Sequence, residues 1–148
     1  AKETKEKALR LLEFRAHSEK ELRDKLRRAG AENTDIDSAI EFLTEYRFLN
    51  DEKYAIAKAQ DLAHLKKFGK KRIASELKMR GIASEYIDEA LENIEIDERE
   101  TLLPLVEKKL RGDFERKSID RTIRYFAAKG YRYEDIKACI ETVRSEEF

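Results

Sequence analysis

Histidine, cysteine and clustered carboxylates are the residues of this chain that could do chemistry, and their spacing speaks against each reaction in turn. His17 stands just before a Ser-x-x-Glu stretch, and His64 falls late in a helical pattern. Neither has a second His or Cys at ligand spacing, so no metal site is expected. Cys139 occupies the place that Ala39 and Ala90 hold in two related segments, which makes it a small core residue rather than a nucleophile. Gly69-Lys70 imitates part of a phosphate loop. It lacks the first glycine and the Ser or Thr after the lysine that hold phosphate and Mg²⁺. Asp and Glu are abundant but do not converge. With no catalytic constellation, a non-enzymatic protein without cofactor or metal is expected.

The elements that carry these residues are announced by composition. Of the 148 residues 43% are charged, against about a quarter in an ordinary soluble domain. Another 41% are hydrophobic, enough apolar surface to offset the entropy of ordering a chain. One Pro and five Gly leave few interruptions, and the dominant residues are strong helix formers. Formal net charge is zero, so global charge gives no reason for nucleic-acid affinity. A single cysteine excludes an internal disulfide and fits a reducing compartment. No apolar run approaches a bilayer span, and the N-terminal AKETKEKA lacks a signal-peptide core. A soluble, cytoplasmic chain with no membrane partner is therefore expected. Ala1 in place of Met suggests a trimmed or internal start.

A repeat of about fifty residues organises the helices. Gly30, Gly81 and Gly130 lie 51 and then 49 residues apart. Six positions after each stands Ile36, Ile87 or Ile136; four before stands Leu26, Leu77 or Phe126. Further matches pair Ile40, Leu91 and Ile140, then Leu43, Ile94 and Val143. Spacings of three and four trace one helical face, so each segment repeats one apolar stripe. The fold class expected is all-α: three tandem three-helix bundle repeats, residues 1–47, 48–96 and 97–148, in an elongated, curved array.

Within the first repeat, Ala8, Leu11 and Leu12 predict a helix ending near Ala16. Ser18 to Glu21 predicts a capping box, Gly30 a left-handed stop, and Thr34 the next helix start. In the second, Asn50 is the expected N-cap, with Leu49 stapling against Tyr54. Residues 66–69 break the chain before a helix through Ile73 and Leu77. In the third, Asp97 to Glu100 predicts another box, and Pro104 a kink or the true helix start. Two helices follow, over 118–129 and 134–144.

Charge outside the stripe is segregated. The second helix of the first repeat carries Arg23 and Arg27. The matching stretch of the second, from Lys66 to Arg80, includes Lys67, Lys70, Lys71, Arg72, Lys78 and Arg80 and is the strongest candidate contact segment. The third contributes Arg121, Arg124 and Arg132. Third helices are acidic instead, with Asp35, Asp37, Glu41 and Glu45 in the first repeat. Solvated faces that pair with their neighbours, at a few tenths of a kcal/mol each, would account for this pattern. A basic ridge offered to a polyanion or an acidic protein groove would account for it too.

Four motifs in order along the chain resemble one family. Arg15-Ala-His-Ser18-Glu-Lys-Glu21-Leu22, then Leu26 and Gly30, resembles the first signature of RecX proteins. Phe48-Leu49-Asn50-Asp51 with Tyr54-Ala55 is similar to the second. Gly69-Lys-Lys-Arg72-Ile73 with Leu77 and Gly81-Ile82 is similar to the third, although the family often has Pro where Lys70 stands. Arg124-Tyr125, Lys129-Gly130-Tyr131 and Ile136 are similar to the C-terminal one, while Pro104 departs from the family's usual continuous helix. The resemblance implies a cytoplasmic, monomeric regulator of DNA repair and recombination in the SOS response. It would bind the groove of the RecA filament on single-stranded DNA, limit extension, and lower ATPase and strand-exchange activity. Arg15, Arg72 and Arg124 become the matched contact candidates, and single-stranded DNA a candidate direct partner. The alternative is a helix-turn-helix-like DNA-binding module that acts without RecA.

Overall fold

Helix formers make helices throughout the computed structural model, which describes residues 2–146. The described residues contain nine helices and no strand: α1 (Lys2–Phe14), α2 (Glu19–Arg28), α3 (Asn33–Glu45), α4 (Asp51–His64), α5 (Lys70–Met79), α6 (Ser84–Glu92), α7 (Glu98–Leu110), α8 (Arg116–Ala128) and α9 (Tyr133–Glu146). The starts and stops follow local chemistry. Ser18 Oγ accepts from the Glu21 amide at 3.2 Å, while Glu21 Oε1 accepts from the Ser18 amide at 3.0 Å, closing the expected box. Asn50 caps α4 by accepting from the Lys53 amide at 3.1 Å. Gly30, Gly81 and Gly130 take φ of 92°, 78° and 100°, which glycine adopts without strain.

Several boundaries differ from the sequence expectation. The helix α1 stops at Phe14, short of Ala16, and α3 starts at Asn33 rather than Thr34. Asp97 accepts from the Arg99 and Glu100 amides at 3.0 and 3.3 Å, but the return bond from Glu100 is not formed, so this cap is one-sided. Pro104 is not the start of α7; it lies inside the helix. Without an N–H it leaves the Glu100 carbonyl without its helical donor. Both residues are exposed, so water can supply that bond.

The packing falls into two units. One comprises Ala1–Ala59 with Glu76–Ala90, the other Gln60–Ser75 with Leu91–Phe148, so the division runs through α4, α5 and α6. In the first unit α1 packs on α2 and α3, and α2 on α3. Leu22, Leu26, Ile36 and Leu43 are fully buried in its core, each contributing about 1.5–3 kcal/mol. In the second unit α7 packs chiefly along α9, and α8 against both. Its core joins Leu102, Val106 and Leu110 to Phe126, Ile136, Ile140 and Val143. Cys139 is buried there as a core residue, its Sγ 3.5 Å from the Arg99 carbonyl oxygen.

One joint occurs twice, once within each unit. In the first, Ser18, twelve residues before Gly30, donates from Oγ to the Arg80 carbonyl at 2.7 Å. In the second, Gly69, twelve before Gly81, donates from its amide to the Lys129 carbonyl at 2.8 Å. Each acceptor immediately precedes the glycine of the following repeat. The next residues agree as well. The Glu19 amide donates to Asp51 Oδ1 at 2.8 Å, and the Lys70 amide to Glu98 Oε1 at 2.6 Å. These amides open α2 and α5 and lack helical partners, and the carboxylates that satisfy them open α4 and α7. Contact at the joint is tight. A Cβ on Gly81 would lie 2.6 Å from Lys20 Cβ, and one on Gly130 would lie 2.4 Å from the Arg72 backbone nitrogen. At Gly30, which no such joint covers, a Cβ would meet nothing within 4 Å.

Candidate interaction surfaces

The basic residues of the first unit are largely neutralised at home. Arg15 lies 3.3 Å from Glu21 and donates to the Ala16 carbonyl at 2.8 Å. Arg23 pairs with Asp37 at 2.7 Å and Glu19 at 2.9 Å, which holds its guanidinium above the ordinary range despite partial burial. Arg27 lies 3.3 Å from Asp24, and Arg80 reaches the Glu76 carbonyl at 3.0 Å and its carboxylate at 3.3 Å. Lys78 is exposed and makes no ion pair among the described residues. Burial pushes the Glu21 carboxyl up, but the Ser18 amide, the Tyr54 hydroxyl and Arg15 together bring it below the usual range.

His17 is a buried member of this cluster, 2% exposed, a position its spacing did not reveal. Its Nδ1 lies 2.9 Å from the Arg15 carbonyl oxygen and its Nε2 2.8 Å from Lys25 Nζ. A carbonyl only accepts and an ammonium only donates, so the ring is neutral with its proton on Nδ1. Burial is the main reason its pKa is lowered, and Arg15 and Lys25 add to that effect against the Arg15 carbonyl bond.

In the second unit the stretch expected to be strongest is mixed in charge. Lys70, Lys71 and Arg132 share a concavity with Asp97, Glu98 and Asp135, and Arg99 is paired there to Asp135 at 2.6 Å. Arg72 is half-buried rather than openly displayed. Its Nη1 donates to the Ala128 carbonyl at 3.0 Å, and its guanidinium lies 4.4 Å from the Phe68 ring centroid. Arg124 is exposed on α8.

The concentrated basic surface lies elsewhere in this unit, in an open groove of about 600 Å³ between α7 and α8. Lys108, Lys109 and Arg111 come from the end of α7, Arg121 and Lys129 from α8 and its C-terminus, and Lys67 from the turn before α5. Among the described residues none of these six makes an ion pair. One carboxylate, Asp113, lines the groove. Ser118 and the Glu115 amide, more than Arg121, hold it below the usual range. Leu105, Leu110, Tyr125 and Phe126 supply apolar lining. Tyr125 is 40% exposed, with Lys109 Nζ 4.0 Å and Lys129 Nζ 5.4 Å from its ring centroid.

Sequence reasoning named Lys67 and Arg121 as contact candidates but missed Lys108 and Lys109 on α7 and Arg111 just after it. Basic residues in a final turn also complement the helix dipole, so their pattern carries no special signal. Only the fold brings them beside α8. Among the described residues there is no cluster of three or more His, Cys, Asp or Glu fit to hold a metal, and no helix long and apolar enough to cross a membrane.

Comparison with known proteins places these features. Family models described as the first and second three-helix domains of RecX match residues 5–43 and 50–91. The regulatory protein RecX of Clostridium perfringens is 35% identical over 97% of this chain and 70% of its own length. That of Vibrio campbellii is 35% identical over 90% of this chain and 86% of its own. The crystal structure of RecX from Lactobacillus salivarius superposes with a TM-score of 0.82 at 23% identity, covering 97% of this chain and 96% of that one. The shared fold, the two family domains and the near full-length similarity agree: the chain belongs to the RecX family of regulatory proteins.

Proposed function

We propose that this protein is a regulator, mainly an inhibitor, of a RecA-type recombinase. It binds as a monomer in the groove of the RecA filament on single-stranded DNA, limits filament extension, and lowers ATP turnover and strand exchange. This activity belongs to cytoplasmic DNA repair and recombination in the SOS response. The observation that carries the reading is similarity to proteins named as RecX regulators along nearly the whole chain.

The surface chemistry divides the predicted contact residues. Exposed Lys70, Lys71, Lys78, Arg121, Arg124 and Arg132 are the residues proposed to touch the filament. Arg15, Arg72 and Arg80 act through the geometry they hold, because their guanidinium groups are bonded within the fold. A helix-turn-helix reading would place a second helix in a DNA groove. On α2, Arg23 and Arg27 are paired with Asp24, Asp37 and Glu19, and Lys25 is turned to His17, which favours the filament regulator.

The test is a titration of this protein into RecA filaments preformed on single-stranded DNA, following ATP hydrolysis. Turnover should fall in a saturable way. Unchanged hydrolysis at saturating protein would falsify the reading.

A further inference from the structure

We infer that the α7–α8 groove is a binding site for single-stranded nucleic acid, holding the sugar-phosphate backbone on its cationic rim and a base against Tyr125. The site does not require the recombinase, so this inference stands or falls apart from the function proposed above.

Three observations carry it. First, the groove keeps its charge. Six cations line it against one carboxylate, and none of the six is ion-paired among the described residues, whereas Arg15, Arg23, Arg27 and Arg80 all are. A concave surface with one sign of uncompensated charge concentrates ligands of the opposite sign.

Second, the lining is divided as a nucleotide is divided. The rim offers ammonium and guanidinium groups for phosphates, and Tyr125, Phe126 and Leu110 offer an apolar face for a base. Grooves that combine a basic track with aromatic platforms are the general solution for single strands. Lys109, exposed at the end of α7, now covers the Tyr125 ring. It can swing aside to a phosphate as a base takes its place. An acidic peptide would use the cations and leave the aromatic face unused.

Third, residues equivalent to those of a packed joint line this groove. Gly69, just before α5, and Arg72 on it lie against the turn at Gly130. The residues at the same sequence distances from Gly130, Ser118 and Arg121, line the groove. With six cations against one carboxylate, a polyanion is the complementary occupant.

Fluorescence anisotropy of a labelled oligothymidylate tests this on the full chain alone. The wild-type protein should bind with a steep salt dependence. The double variant Lys108→Gln, Arg121→Gln should weaken binding about tenfold or more and reduce the salt slope by about two. Tyr125→Ala should weaken it about fivefold or more, with Tyr125→Phe close to wild type. Lys7→Gln, an exposed change on α1, should have no effect. Circular dichroism establishes that each variant keeps its helicity. As a measurement needing no variant, the oligonucleotide should protect Lys108 and Lys109 of the wild-type protein from acetylation.

Absence of binding at about 100 μM protein and low salt overturns the inference. So does full affinity in a folded double variant. Equal affinity for duplex DNA of the same length, or displacement by polyglutamate at matched charge, overturns it as well. Sedimentation that showed a dimer abolished by the double variant would assign the groove to a second copy instead.

Discussion

At the scale of the single residue, burial decides which polar groups serve the fold and which remain available. Ser18 is fully buried and makes two bonds from one hydroxyl, accepting from Glu21 and donating to Arg80. Its neighbour His17 is neutral because it lies buried among Arg15 and Lys25. The folded state therefore holds that proton less well than the unfolded chain, whose histidine titrates near 6.5. Below that value the unfolded state binds more protons, and the stability contributed by the neutral ring is lost as pH falls towards the folded pKa. Denaturant midpoints measured from pH 7.5 down to 5.5 should fall for the wild type and change less for His17→Gln, and parallel curves would contradict the account. The residue's type and position gave no sign of this, because burial of His17 depends on partners brought in by folding.

At the scale of the element, the glycine turns separate two effects that a sequence merges. All three repeat glycines have positive φ, so alanine at any of them costs about 1–2 kcal/mol in backbone strain. At Gly30 the new methyl enters open space. At Gly81 it meets the Lys20 side chain, and at Gly130 the Arg72 backbone. Overpacking should add about 1–3 kcal/mol where the neighbour cannot move. Urea unfolding should therefore rank Gly30→Ala mildest, Gly81→Ala intermediate and Gly130→Ala worst. Equal losses would show that the joints contribute nothing. Helix number, stripe and stops were legible because 3.6-residue periodicity and left-handed glycines are local signals. The joints were not, since a bond such as Ser18 to Arg80 spans 62 residues. Arg72 shows the same limit: as a sequence feature it is one more cation, and only folding brings its guanidinium to the Ala128 carbonyl beside the turn at Gly130.

At the scale of the whole molecule, zero net charge conceals surfaces of different charge, one basic and one mixed. The proposed filament contacts and the proposed strand-binding groove share few residues, so single changes can separate them. Lys71→Glu, exposed on α5, should weaken binding to RecA filaments severalfold while leaving oligothymidylate affinity nearly intact. Arg72→Glu is predicted to lower stability first, because it removes a bond to the Ala128 carbonyl. Filament co-sedimentation beside thermal melts checks both. If Lys71→Glu loses helicity instead, the basic face of α5 is structural, and the filament contacts lie elsewhere.

The twice-used joint has a consequence for how such a protein can change over generations. Its donor and its acceptor sit at fixed distances from each glycine, so a duplicated repeat arrives with its own connector already encoded. Lengthening such a chain by one repeat demands no newly invented interface, only copying.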